Sequence, residues 1–281
     1  MRRVMIFIAV VILAIAALVF FRQNTEQRLA ADRATFDLVM NEKMRALYSQ
    51  AQDWSAPLQF DVTDPRLNGD YKILAEFVLN YWVENIEVRN TYLRELKAVK
   101  WDQFLDVDRL DQDRKNKYQQ TDQMLKTAHQ VTEHYQQQSA QNKQAALEHA
   151  KTLPIDETMR EGLLEKLEHN LKVDQESALI VLELQVLDKA DAMLAMLKKY
   201  PWQKQDGKIL FPENAQVKQF NQLYQDVLKL NAKIEKKKQQ NADELDDTIT
   251  ETEVSDTQTV VSGVDAAVAD TGIAVSGIKP S

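Results

Sequence analysis

The sequence predicts an all-α protein. It should comprise a single N-terminal transmembrane helix, an elongated antiparallel helical bundle with a small β-hairpin inserted in it, and a disordered C-terminal tail. Six Gly and six Pro are few for 281 residues, whereas Leu, Ala, Glu, Gln and Lys abound, which favours long helices. One segment near the N-terminus is wholly apolar, and later apolar residues recur at spacings of three and four. The expected parts are an anchor over residues 1–22, a helical body over 23–240 and an acidic tail over 241–281.

The apolar segment contains no polar side chain from Val4 to Phe21 and follows Arg2 and Arg3. Eighteen residues at helical rise cover about 27 Å, which matches the hydrocarbon core of a bilayer. Positive residues before a first span favour a cytoplasmic N-terminus. We therefore expect a single-pass protein of the inner (plasma) membrane whose body is periplasmic or extracellular.

A cleaved secretory signal is the alternative interpretation of this segment. Ala14 and Ala16 have the spacing of a signal-peptidase site, so cleavage would follow Ala16. Cleavage there would leave the apolar residues 17–21 at the new N-terminus, and no polar region precedes the cut. These features favour an uncleaved anchor, and in both interpretations the body is translocated.

The body should begin as a continuation of the anchor. Apolar residues recur at helical spacing up to Trp54, so the first helix is predicted to run from Val4 to about Asp53. Prolines and an Asn-Gly pair predict a loop over 54–70. An aromatic-rich second helix follows over 71–99.

The middle of the chain is predicted to hold two long helices. Apolar residues are sparse over 108–152, which predicts one helix that is largely solvated and weakly packed. Asp156 is the expected N-cap of a helix that reaches about Lys199. Within it, 178–187 is apolar on nearly every face and should lie at the bundle's centre, surrounded by other helices.

A hairpin and a last helix complete the predicted body. The Asp206-Gly207 pair suits a tight hairpin turn between two short strands. Pro212 suits the start of a final helix whose apolar positions keep coiled-coil spacing to Ile234. Beyond about Lys238 the pattern stops, and 241–281 holds nine acidic residues against one Lys. This composition predicts disorder.

Four residues are candidates for a ligand or partner surface. Tyr81, Trp82 and Tyr92 could line a pocket between helices, although aromatic residues at helical spacing more often form a core. Asn231 is a polar residue in the apolar seam of the last helix, where setting the helix register is favoured over contacting a ligand.

No pattern indicates a catalytic, cofactor-binding or metal site. His129 and His134 are five residues apart, about 140° around a helix, and none of the four histidines has the Glu three residues earlier that di-iron bundles need. Cysteine is absent, and no phosphate-binding Gly-rich loop or G-x-S-x-G motif occurs. The charge of −8 resides in 241–281 and no basic stripe is present, so nucleic acid is not an expected partner. We expect neither enzyme activity nor a cofactor.

These features favour a membrane-anchored extracytoplasmic scaffold or protein-interaction module of the cell envelope, with a protein partner or self-association. The alternative is a ligand-binding sensor bundle that holds a small molecule near Tyr81 and Tyr92. Such a sensor would signal through a partner protein, because the three residues before Val4 supply no cytoplasmic output.

Overall fold

The computed structural model describes residues 27–172 and 175–254, with side chains described over 31–169 and 178–237. These residues are mostly helical, which confirms the predicted class. The seven α-helices are α1 Gln27–Ala51, α2 Gly69–Ala98, α3 Val107–Arg114, α4 Gln119–Ala150, α5 Glu157–Lys172, α6 Gln175–Lys199 and α7 Asn214–Val254. A 3-10 turn, Trp101–Gln103, and two strands, β1 Gln203–Gln205 and β2 Lys208–Leu210, complete the described elements.

The predicted anchor, Val4 to Phe21, lies outside the described residues. Among the residues that are described, no helix has both the length and the apolar character needed to cross a bilayer. The helix α7 is described as far as Val254, so its backbone includes the first part of the predicted 241–281 tail. The remainder of that tail also lies outside the described residues.

The chain divides into two compact units. Of the described residues, unit 1 takes 27–91, 137–172, 175–176 and 238–254. Its core is built from one face each of α1, α2, α4 and α5, whose apolar residues recur at helical spacing. The largest fully buried side chains there are Phe36, Met40, Leu47, Leu74, Leu79, Trp82, Ile86 and Leu163. The aromatic second helix thus contributes to the core as its periodicity predicts.

Unit 1 also fixes its long connecting loop through polar contacts. Lys43 Nζ donates to the carbonyls of Asp61 and Thr63, each at 2.8 Å. The Glu87 carboxylate accepts from the backbone N–H of Leu58 at 2.9 Å. The predicted N-cap at Asp156 is confirmed, because its Oδ1 accepts from Thr158 N at 2.9 Å and from Met159 N at 3.3 Å.

Unit 2 takes 92–136 and 177–237 of the described chain. An ion pair and a hydrogen bond show that α4 and α6 run antiparallel. Lys198 Nζ lies 2.5 Å from Asp122 Oδ1. Seven residues later on α4 and seven residues earlier on α6, His129 Nε2 lies 2.7 Å from Asp191 Oδ2. A third pair, Lys189 to Asp226 at 3.3 Å, joins α6 to α7.

The prediction of a single helix over 108–152 is wrong. The chain leaves helical geometry between α3 and α4, because Lys117 and Tyr118 have φ of 56° and 61°. The expectation that this region is weakly packed is also wrong. One face of α4 is buried along its length, and polar side chains such as Thr121 and Thr132 belong to that face.

The segment 178–187 is only partly enclosed. Leu179, Ile180, Val186 and Leu187 are buried, as predicted, but Val181 is 47% exposed. Glu183, a charged residue within this segment, is only 5% exposed. This helix segment is apolar on nearly every face, but not every face is buried in the core.

The predicted hairpin is confirmed. The strands β1 and β2 pair antiparallel, with Gln203 opposite Leu210 and Gln205 opposite Lys208. The two turn residues, Asp206 and Gly207, have φ of 51° and 70°. Two consecutive positive φ values define the type I′ turn that matches the twist of paired strands.

Candidate functional site: a carboxamide-lined groove at the α3–α4 turn

The N-terminus of α4 is capped by a carboxylate from the preceding helix. Asp113 Oδ1 accepts from Gln120 N at 3.1 Å, and its Oδ2 accepts from the N–H and hydroxyl of Thr121, each at 2.7 Å. These backbone N–H groups would otherwise lack partners in the first helical turn. Burial acts to raise the pKa of Asp113, but the bonds from Thr121 and Gln120 outweigh it and hold the pKa below its ordinary value.

Arg109 extends this polar cluster into the loop before α3. Its Nη1 donates to Thr121 Oγ1 at 2.9 Å, and its Nε donates to the Gln103 carbonyl at 2.9 Å. The Thr121 hydroxyl therefore donates to Asp113 while it accepts from Arg109. The pKa of Arg109 is lowered by burial, although the coulombic attraction of Asp113 opposes this effect.

Tyr118 ties the turn between α3 and α4 to the hairpin side of unit 2. Its hydroxyl donates to the Leu197 carbonyl at 2.9 Å and accepts from Trp202 Nε1 at 2.6 Å. The guanidinium carbon of Arg114 lies 4.5 Å from the Trp202 ring centroid. Arg114 also donates a hydrogen bond to the Trp202 carbonyl. Burial raises the pKa of Tyr118, so this hydroxyl stays protonated.

An open groove of about 580 Å³ lies beside this turn, entirely within unit 2. Five carboxamide side chains dominate its lining, with Val99, Met124, Thr127 and Asp113 between them. The carboxamides are those of Gln112, Asn116, Gln119, Gln120 and Gln123.

The lining is suited to binding and offers little for acid–base chemistry. Each carboxamide presents a donor and an acceptor without charge. Asp113 is the single titratable residue of the lining, and its two oxygens are already occupied by α4. A general base needs a free acceptor within reach of its substrate. The groove therefore matches a neutral ligand with alternating donors and acceptors.

The predicted aromatic residues do not lie in this groove. Tyr81 and Trp82 are buried in the hydrophobic core of unit 1. Tyr92 belongs to unit 2, where its ring stacks on Tyr135 at a centroid distance of 4.7 Å. Their role as a ligand surface stays a prediction, and it would require a pocket to open within packed side chains.

Asn231 occupies the apolar seam of α7, between the fully buried Val227 and Ile234. The ion pair of Lys189 with Asp226 joins α7 to α6, which also carries Glu183. Asn231 Oδ1 and Glu183 Oε2 are buried and accept no hydrogen bond within the described chain. The register-setting role of Asn231 stays a prediction.

No group of three or more metal-ligating side chains occurs among the described residues. His129 pairs with Asp191, and the His149 ring packs edge-on against Phe77 at a centroid distance of 5.3 Å. Each of these contacts gives the histidine a structural role.

The groove was not foreseen in the sequence. The stretch from Asp113 to Tyr118 contains no Gly or Pro, so nothing marked the helix break that forms one side of the groove. The recurrence of Gln and Asn at 112, 116, 119 and 123 could have signalled a polar stripe of carboxamides, but it was attributed to a solvated helix face.

Comparison of this chain with models of known protein families, with curated proteins and with solved structures yields no match.

Proposed function

We propose that this chain is a membrane-anchored, extracytoplasmic helical protein-interaction module of the cell envelope, whose groove in unit 2 receives a polar segment of a partner protein. The observation that carries the proposal is the carboxamide lining of a groove held rigid by buried hydrogen bonds. The partner is a different protein or a second copy of this chain.

Two properties of the groove support a protein segment as its occupant. A polypeptide main chain alternates N–H donors with carbonyl acceptors, and carboxamides can pair with both. The groove is also open and about as polar as it is apolar, whereas small-molecule sites are mostly enclosed and apolar. Preorganisation by Asp113, Arg109 and Thr121 lowers the entropic cost of binding.

The anchor supports the location in this proposal. An uncharged segment from Val4 to Phe21 behind two arginines has the length and charge of a signal anchor. Unit 1 and unit 2 would then both belong to the extracytoplasmic body.

Site-specific photo-crosslinking in intact cells tests the interaction. A photoreactive amino acid is placed at Gln112 in the groove, and the matched control carries it at Gln141, an exposed Gln on the part of α4 that belongs to unit 1. We expect one defined crosslinked product from Gln112 and none from Gln141. Substituting Gln119→Arg and Gln123→Arg should remove that product, because two charges would replace neutral donors and acceptors. Equal crosslinking at both positions, or a product that survives the double substitution, would contradict the proposal.

The sensor alternative is favoured by one quantity, the groove volume of about 580 Å³, which falls within the range of small-molecule sites. A thermal-shift screen of neutral polar metabolites distinguishes the two functions. A rise in Tm that Gln119→Arg and Gln123→Arg abolish, together with no crosslinked product, would favour the sensor.

A further inference from the structure

Unit 1 contains a buried polar layer in α2 that no part of the proposed function uses. Asn85, Arg89 and Asn90 are 5%, 5% and 1% exposed. They follow the apolar core residues Trp82 and Ile86 along the same helix. A core helix that buries an arginine and two asparagines within six residues places strong donors away from water.

One polar atom of each of these three side chains is buried without a hydrogen-bond partner. Arg89 Nε has no hydrogen-bond partner, and no carboxylate forms an ion pair with Arg89 in the described part of the chain. Asn90 Nδ2 is also buried without an acceptor. Asn85 uses its Nδ2 to donate to the Tyr81 carbonyl at 2.6 Å, while its Oδ1 stays without a donor.

The helix opposite brings no compensating negative charge. The Phe77 ring of α2 contacts the His149 ring of α4. Ten residues later on α2 is Glu87, and ten residues earlier on the antiparallel α4 is Ser139. The buried polar residues of unit 1 on α4 are Ser139 and Lys143, and neither is acidic. The nearby Glu87 is half-buried and its carboxylate already accepts from Leu58 N.

An isolated buried cation is costly, because the loss of its hydration is worth several kcal/mol unless an anion and hydrogen bonds replace the water. A guanidinium matches the oxygens of a carboxylate or phosphate group better than any other partner, since its N–H groups form a planar fork. Asn90 lies about 100° further around the helix, so its Nδ2 is a separate unsatisfied donor. Lys143 has interactions of its own.

We propose that unit 1 binds a small oxyanion, through a carboxylate or phosphate group, at Arg89. This site is separate from the groove of unit 2, so the proposal stands or falls independently of the proposed function.

The experiment measures the Tm of the purified full-length chain in increasing inorganic phosphate, acetate or chloride at constant ionic strength. Arg89→Met removes the charge while it keeps an unbranched apolar side chain, and Arg89→Lys keeps the charge without the planar fork. Lys72→Met, at an exposed position of the same helix, is the matched control for loss of a positive charge.

We expect the Tm of the wild type and of Lys72→Met to rise by about 5–10 °C when phosphate or acetate reaches about 100 times its dissociation constant. Arg89→Met should show no saturable rise, and Arg89→Lys a smaller one. The more responsive of phosphate and acetate identifies the anionic group. The general stabilisation by excluded salts acts on all variants equally and is subtracted.

Two results would overturn the proposal. The first is an equal rise in wild type and Arg89→Met, and the second is the absence of a rise with either oxyanion. If Arg89→Met does not fold, the comparison of Arg89→Lys with wild type gives the same decision.

Discussion

Asp113 illustrates how much one buried side chain decides in this protein. It stands in for the N-cap that α4 lacks, since Tyr118, the residue before α4, has no side chain suited to capping and a positive φ. The carboxylate satisfies two backbone donors and one hydroxyl at once. Its negative charge also lies at the N-terminus of α4, where the helix dipole favours an anion.

Replacing this carboxylate should destabilise the protein in a pH-dependent way. We expect Asp113→Asn to lower the free energy of unfolding by about 2–4 kcal/mol near neutral pH, because buried donors lose a charged acceptor. The pKa of Asp113 is lowered in the folded state, so its stabilisation is present above the unfolded-state pKa. That stabilisation disappears as the pH falls through the folded-state pKa, so the deficit of the variant should shrink there. Urea unfolding at several pH values measures it.

The control for this prediction is Asp102→Asn, which alters an exposed carboxylate paired with Lys97. Exposed ion pairs contribute about 0–1 kcal/mol, so a small deficit is expected. Equal deficits for the two variants at neutral pH would show that Asp113 does not cap α4 in solution.

At the scale of elements, the break between α3 and α4 was the main feature that sequence patterns could not supply. Helix periodicity reports which residues face a core, and it correctly located α1, α2 and the buried stripe of α7. The break depends on Lys117 and Tyr118 in left-handed geometry, which side chains with a Cβ normally disfavour. Tertiary bonds of Asp113 and Tyr118 hold it, and such bonds leave no local signal.

The hairpin shows the opposite case. Asp206 and Gly207 carry their turn preference in their own identities, because Gly and Asp tolerate positive φ. The groove, like the break, has no local signal in the sequence, because its carboxamides converge only when α3 and α4 separate. The burial of Glu183 has no local signal, because charged side chains are rarely buried.

Two glycine substitutions in the turn test whether its backbone is strained at the left-handed position. Lys117 is exposed with φ of 56°, so we expect Lys117→Gly to stabilise the protein by about 0.5–1 kcal/mol through relief of left-handed strain. Lys115 is exposed with an ordinary helical φ of −63°, so Lys115→Gly should destabilise by a similar amount. Chemical denaturation of both variants gives the sign, and destabilisation by both would argue against strain at Lys117.

For the protein as a whole, the proposed anchor predicts how it fractionates with membranes. The chain with Val4 to Phe21 intact should stay with membranes through an alkaline wash, because an apolar helix of this length inserts stably. A chain that begins at residue 23 should appear in the soluble fraction with unchanged helical circular dichroism. Release of the intact chain by the wash would contradict the signal anchor, whereas release of a shorter chain that begins at Ala17 would favour cleavage after Ala16.

The turn at Asp113 to Tyr118 has a final consequence for limited proteolysis. Arg114, Lys115 and Lys117 offer three trypsin sites within four residues, two of them at exposed lysines. Trypsin binds its substrate as an extended strand, whereas here the backbone bonds of Asn116 and Tyr118 to the Asp113 carbonyl hold the chain coiled. Cutting at this turn must wait for local opening of unit 2. The rate of cleavage at this turn would therefore report how often unit 2 opens locally.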